Sequence, residues 1–143
     1  MLIDQLSIFI ENRPGSLAEI TQVLADGGID IRALSLADTT SFGILRIIAA
    51  RPELAAELLR EAGYTVSATK VVAVEVADEP GGLCGVMKVL AEAQINVEYA
   101  YAFIAHGVGN TFVILRSERA EDAAQALQAG GVRVIGKDEL FKV

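Results

Sequence analysis

The chain has one cysteine, Cys84, one histidine, His106, and no tryptophan among its 143 residues. One thiol excludes an intramolecular disulfide and a cysteine-based zinc site, and one imidazole excludes a multi-histidine metal centre within a single chain. Basic residues are also scarce: twelve Lys and Arg face nineteen Asp and Glu, with no basic cluster. The formal charge of −7 and pI of about 4.7 argue against a nucleic-acid partner, because phosphate affinity comes from Lys and Arg that displace counterions. Long apolar runs are missing as well. Residues 99–115 form the longest stretch free of charge, and the sequence HGVGN at 106–110 breaks it as a hairpin, so no membrane span is expected. The opening MLIDQLSIFI lacks a basic leader and is interrupted by Asp4; it reads as a strand rather than a signal peptide, and the chain as cytoplasmic. KDEL at 137–140 is followed by FKV and is not a retention signal. There is no HExxH, no CxxC and no phosphate-binding loop; GVG at 107–109 has no following helix, and no cofactor or acid–base pair is implied. His106 reads as a solvated loop residue, and Cys84, although near a helix start, as a small buried filler.

What the chain does have is a duplicated core. Apolar residues make up 52% and charged ones 22%, a globular composition. ENRPGSL at 11–17 returns as ADEPGGL at 77–83, with Pro14 and Pro80 standing 66 residues apart. Laying 8–36 on 74–102 pairs Pro14 with Pro80, Gly15 with Gly81, Leu17 with Leu83, Val23 with Val89, Leu24 with Leu90, Ala25 with Ala91 and Ile29 with Ile95, all identical. Turn, helix face and strand start stay in step, the signature of an internal repeat.

Each half reads in the order βαββαβ. Strands are expected at 3–11 and 71–77, at 29–37 and 95–105, at 43–50 and 111–115, and short ones at 64–67 and 132–135. Leu17, Ile20 and Leu24, like Leu83, Val86 and Leu90, recur at helical spacing for an apolar face, and Gly27 and Gly28 stop the first helix. The second helices are expected at 52–62 and 119–129. This is an α+β chain of two tandem units, 1–69 and 70–143, with antiparallel sheets carrying both helices on one face. Phe9 beside Ile8 and Ile10, and the run Val71, Val72, Ala73, Val74, make both faces of the first strands apolar, which points to a homodimer through the free sheet face.

A βαββαβ unit of this length, with ENRPGSL at its first turn and GGIDI after its first helix, resembles the ACT domain, a ferredoxin-like unit, and two in tandem fill the chain. The motif is also similar to the regulatory domain of phosphoglycerate dehydrogenases and to the small regulatory subunit of acetolactate synthase. The resemblance implies a sensor of a free amino acid that regulates amino-acid metabolism without catalysis, alone or as a regulatory subunit of a biosynthetic enzyme such as acetolactate synthase. It implies a ligand held by the first loop and the start of the second strand: Asn12, Arg13, Gly15, Ser16, Leu17, Asp30 and Ile31, and in the second half Asp78, Glu79, Gly81, Gly82, Leu83, Asn96 and Val97.

Elementary chemistry supports such a loop. A helix start leaves unpaired N–H groups and a partial positive charge that stabilise a carboxylate, and glycine lets backbone approach closely. Asn12 with Asp30, and Asp78 with Asn96, give each half one carboxylate and one carboxamide, a set suited to a zwitterion. The competing reading is that Asn12 and Asp78 only cap the helices. Glu79 in place of Arg13 makes the first loop the better anion end. Tyr99, Tyr101 and Phe103 alternate opposite the small Ala33, Ser35 and Ala37 of the other half, and either wall a pocket or pack as core or interface.

Overall fold

The computed structural model describes residues 1–38, 41–104 and 110–142. The chain divides into two compact units: an N-terminal unit, Asp4–Thr69, and a C-terminal unit, Lys70–Val143 with Met1–Ile3.

In the N-terminal unit, β1 (Ile3–Glu11) leads to α1 (Ser16–Asp26), then β2 (Ile31–Asp38), β3 (Phe42–Ala49) and α2 (Pro52–Glu61). The antiparallel order is β2-β3-β1, continued by the beginning of β4 (Val66–Ala77). Leu6 opposes Ile47 and Ile8 opposes Leu45, so these side chains share one sheet face. They form the core with Ile20 and Leu24 of α1 and Ala55 and Leu59 of α2. Both helices therefore cover the same face. Pro52 begins α2 where a missing N–H costs nothing.

The C-terminal unit repeats the plan with α3 (Gly82–Glu92), β5 (Tyr99–Ile104), β6 (Asn110–Arg116), α4 (Ala120–Ala129) and β7 (Val134–Ile135), in the order β5-β6-β4-β7. Val72, Val74 and Val76 pack with Val86, Leu90, Val113, Leu115, Ala124 and Leu127. A short α5 (Lys137–Leu140), not foreseen from the KDEL stretch, buries Leu140 fully.

Four expectations need correction. The strands at 64–67 and 71–77 are one strand, β4, because residues 68–70 contain no glycine or proline to turn the chain. The second strands begin later than position 29 or 95. Ile29 and Ile95 instead donate their N–H groups to Leu24 and Leu90 at 2.9 Å and close the preceding helices, leaving Asn96 and Val97 ahead of β5. Leu17 and Leu83 are 36% and 48% exposed and lie outside the core; the helix contact begins one turn later, at Ile20 and Val86. Cys84 is exposed rather than a buried filler, because it lies off the face of α3 that buries Val86 and Leu90. Ala105, His106 and the expected hairpin at 106–110 lie, apart from Asn110, outside the described residues.

Candidate functional site

The two strand-to-helix loops are built by the same hydrogen bonds. In the first, Arg13 N–H donates to the Glu11 carbonyl at 3.0 Å, Ser16 N–H to Arg13 at 3.3 Å and Glu19 N–H to Gly15 at 2.9 Å. In the second, Glu79 N–H donates to Ala77 at 2.9 Å, Gly82 N–H to Glu79 at 3.0 Å and Gly85 N–H to Gly81 at 3.0 Å. Gly15 and Gly81 precede their helices at φ 88° and 89°, which an L side chain rarely adopts. That backbone need accounts for the repeated glycine. Gly82 answers a different demand: a Cβ there would overlap the Ala77 carbonyl oxygen.

Neither α1 nor α3 has a side-chain cap, so the capping alternative for Asn12 and Asp78 does not hold. The cap position has moved to the glycine three residues on. Early N–H groups of both helices remain for another acceptor.

Asn12, Arg13, Ser16 and Leu17 meet Leu36 and Gly43 around a hollow of about 60 Å³. Ser16 is 4% exposed and its Oγ has no hydrogen-bond partner among the described residues. Burying such a hydroxyl unpaired costs about 1–3 kcal/mol, and it stands at an uncapped helix start. Asp30 and Ile31 are not part of this group. The eleven residues of α1 separate them from the loop by about 16 Å at 1.5 Å per residue. Asp30 pairs there with Arg32 at 3.4 Å. Asn96 likewise lies with Gln94, Glu98 and Arg119 around a separate cavity of about 350 Å³ at the far end of the C-terminal unit.

On the other side of each helix start lies a crevice against the turn that follows the second helix. In the N-terminal unit it measures about 260 Å³ and is lined by Glu11, Arg13, Ser16, Glu19, Gly63 and Tyr64 among others. Its lining side chains are bonded to one another. Arg13 grips Glu19 with two nitrogens, at 3.2 and 2.8 Å, and Glu11 with its Nε at 3.0 Å, while the Tyr64 hydroxyl donates to Glu19 at 3.4 Å. Hydrogen bonding by Arg13 holds the Glu19 carboxyl below its usual value and raises Arg13 in turn. Burial, reinforced by Glu19, pushes the Tyr64 phenol up. Arg13, the expected anion ligand, is thus already engaged.

The equivalent crevice of the C-terminal unit measures about 440 Å³. Gly85 stands where Glu19 does, and Val132 follows Gly131 as Tyr64 follows Gly63. Glu75, 15% exposed, receives Asn110 Nδ2 at 2.7 Å and an ion pair from Arg133, whose Nη2 also reaches Glu139 at 2.6 Å. These bonds, Asn110 first and Arg133 second, lower the Glu75 carboxyl. Gly82 lines this crevice; Glu79 and Leu83 do not. Tyr64, Asn110 and Arg133 were missed in the sequence because the alignment of 8–36 on 74–102 ends before them, and a 68-residue offset there pairs Tyr64 with Val132; Glu19 and Glu75 lie inside it, opposite Gly85 and Phe9, and carry no motif.

Tyr99, Tyr101 and Phe103 line none of these crevices. Phe103 opposes Phe112 and Tyr101 opposes Ile114, on the sheet face away from the helices, and the Phe103 and Phe112 rings stack at 5.4 Å. Among the described residues no cluster of His, Cys, Asp and Glu is arranged to hold a metal, and no helix is long and apolar enough to cross a membrane.

The sequence model of a family described as an ACT domain pair matches residues 1–143. Protein BT0572 from Bacteroides thetaiotaomicron is 33% identical, with all of this chain and 98% of that one covered, at a TM-score of 0.93. The regulatory subunit of aspartate kinase from Thermus thermophilus, ligand-free, is 22% identical, with 90% and 93% covered, at 0.66. Its counterpart from Thermus flavus is 19% identical, with 90% and 92% covered, at 0.63. These two show likeness of fold. No curated protein matches by sequence.

Proposed function

The chain belongs to the ACT domain-pair family, and from that premise we propose that it is a non-catalytic cytoplasmic sensor that binds a free amino acid at its strand-to-helix loops and regulates an enzyme of amino-acid metabolism. The observation that carries this reading is Ser16: a buried hydroxyl without a partner among the described residues, beside uncapped N–H groups, in a hollow with Asn12, Arg13 and Leu17. An α-carboxylate accepts from such donors. Asn12, Arg13, Gly15, Ser16 and Leu17 form the core of the proposed site; Asp78, Glu79, Gly81, Gly82 and Leu83 form its counterpart. Asp30, Ile31, Asn96 and Val97 stand at the opposite ends of their own units and would join only from a neighbouring unit.

A second copy is part of the proposal. Phe9 and Phe42, 54% and 55% exposed, lie on the sheet face away from α1 and α2, and Leu34 and Leu36 are exposed on the edge strand. Likeness of fold to regulatory subunits of aspartate kinase supports a second reading, in which the chain acts when docked on a biosynthetic kinase or synthase.

Ser16→Ala tests the site. Removing an unpaired buried hydroxyl is expected to leave the melting temperature equal or higher while reducing the thermal shift produced by whichever of the twenty amino acids stabilises the parent protein. Amino-acid stabilisation unchanged in the variant, or no stabilisation of the parent by any of the twenty, would overturn the assignment.

A further inference from the structure

Ile10, Glu11, Arg13 and Ser16 line both the hollow of about 60 Å³ and the crevice of about 260 Å³ in the N-terminal unit, so Arg13 stands on the wall between the two. Its guanidinium is engaged on the crevice side, where two of its nitrogens hold both oxygens of the Glu19 carboxylate at 3.2 and 2.8 Å. The Tyr64 hydroxyl donates to the same carboxylate at 3.4 Å. We propose that Glu19 is a built-in competitor: it occupies Arg13 as a ligand carboxylate would, and an amino acid at the Ser16 hollow gains this arginine only by displacing it. The inference rests on the reading of that hollow as a ligand site and adds how the chain itself regulates it.

A planar guanidinium that meets both oxygens of one carboxylate forms two parallel bonds, and that fork serves one carboxylate at a time. The turn itself does not need the pair. In the C-terminal unit Gly85 N–H donates to Gly81 at 3.0 Å as Glu19 N–H donates to Gly15 at 2.9 Å, although Gly85 stands there for Glu19 and Glu79 for Arg13. Nor is the pair buried. The Arg13 and Glu19 side chains are 47% and 52% exposed, so water screens their attraction and the pair opens at little cost. Glu11 is bonded through Nε at 3.0 Å, and the Pro14 carbonyl receives Nη1 at 3.4 Å. Displacing Glu19 therefore frees Nη2 for an incoming carboxylate while the guanidinium stays tethered to its loop.

The test is calorimetric titration of the full chain with whichever of the twenty amino acids most raises the melting temperature of the parent or of Glu19→Gln. Glu19→Gln is expected to bind it about two- to fivefold more tightly than the parent does, the gain that an exposed ion pair withholds. In an Arg13→Ala background the same change should give no gain, which separates competition for Arg13 from a general loss of negative charge. Equal affinity of the parent and a folded Glu19→Gln protein, or an equal gain with Arg13 absent, would overturn the inference; the Ser16 site itself would stand if Ser16→Ala still weakens binding. Amino acids that stabilise neither the parent nor Glu19→Gln would overturn the reading of the hollow, and the competitor role with it.

Discussion

Two glycines three residues apart in α3 should respond to alanine in opposite directions. At Gly82 an added Cβ would overlap the Ala77 carbonyl oxygen and lie 3.2 Å from its carbon and 3.3 Å from Val76 Cγ1. The end of β4 must retreat, and with it the turn bond from Glu79 N–H to Ala77 is lost. Overpacking of this kind costs about 1–3 kcal/mol and the hydrogen bond about 1 kcal/mol, against a helix-propensity gain of about 1 kcal/mol. A net loss of about 2 kcal/mol lowers the melting temperature by about 8 °C for a chain of this length. Gly85→Ala meets nothing and keeps only the propensity gain, so it should melt about 4 °C higher than the parent. Thermal unfolding followed by circular dichroism measures both. A Gly82→Ala protein as stable as the parent would refute the account of this turn, since Ser16, at the aligned position, already shows that the first loop accommodates a side chain there.

Other consequences are as direct. The Glu75 carboxyl has a folded-state pKa below its ordinary value of 4.5, so its contribution is present above that pH and fades as pH falls through the folded value. Glu75→Gln should therefore destabilise the protein at pH 7, with the parent and variant melting temperatures converging as the pH falls below 4.5 and through the folded value. Gln94 holds φ 55° where the first unit has Gly28 at 69°, so Gln94→Gly should stabilise by about 1 kcal/mol in urea unfolding. Phe9→Asp combined with Phe42→Asp should shift the protein toward monomer in light scattering after gel filtration, if that sheet face joins two copies as proposed; an unchanged mass would remove the face from the interface.

Strand β1 and helix α1 were legible because period and punctuation agree there: alternating apolar residues, then Pro-Gly, then Ile20 and Leu24 one turn apart. The β4 strand was not, because residues 68–70 neither turn the chain nor declare a buried face. The loop residues were legible as a motif, but their grouping was not. Asn12, Arg13, Ser16 and Leu17 are neighbours in sequence and in space, whereas Asp30 enters the same motif and stands a helix length away.

Duplication, element order and the positions of the two turns follow from the sequence alone, since local propensity and repeat spacing act over a few residues at a time. Which crevice is lined by side chains bonded to one another and which stays open was decided by tertiary structure. Arg13, Glu19 and Tyr64 come from three separate segments, and only folding brings a guanidinium, a carboxylate and a phenol to one point. The same folding leaves Gly85 and Val132 with nothing between them, because electrostatic and steric contacts depend on distance in space and not on separation along the chain.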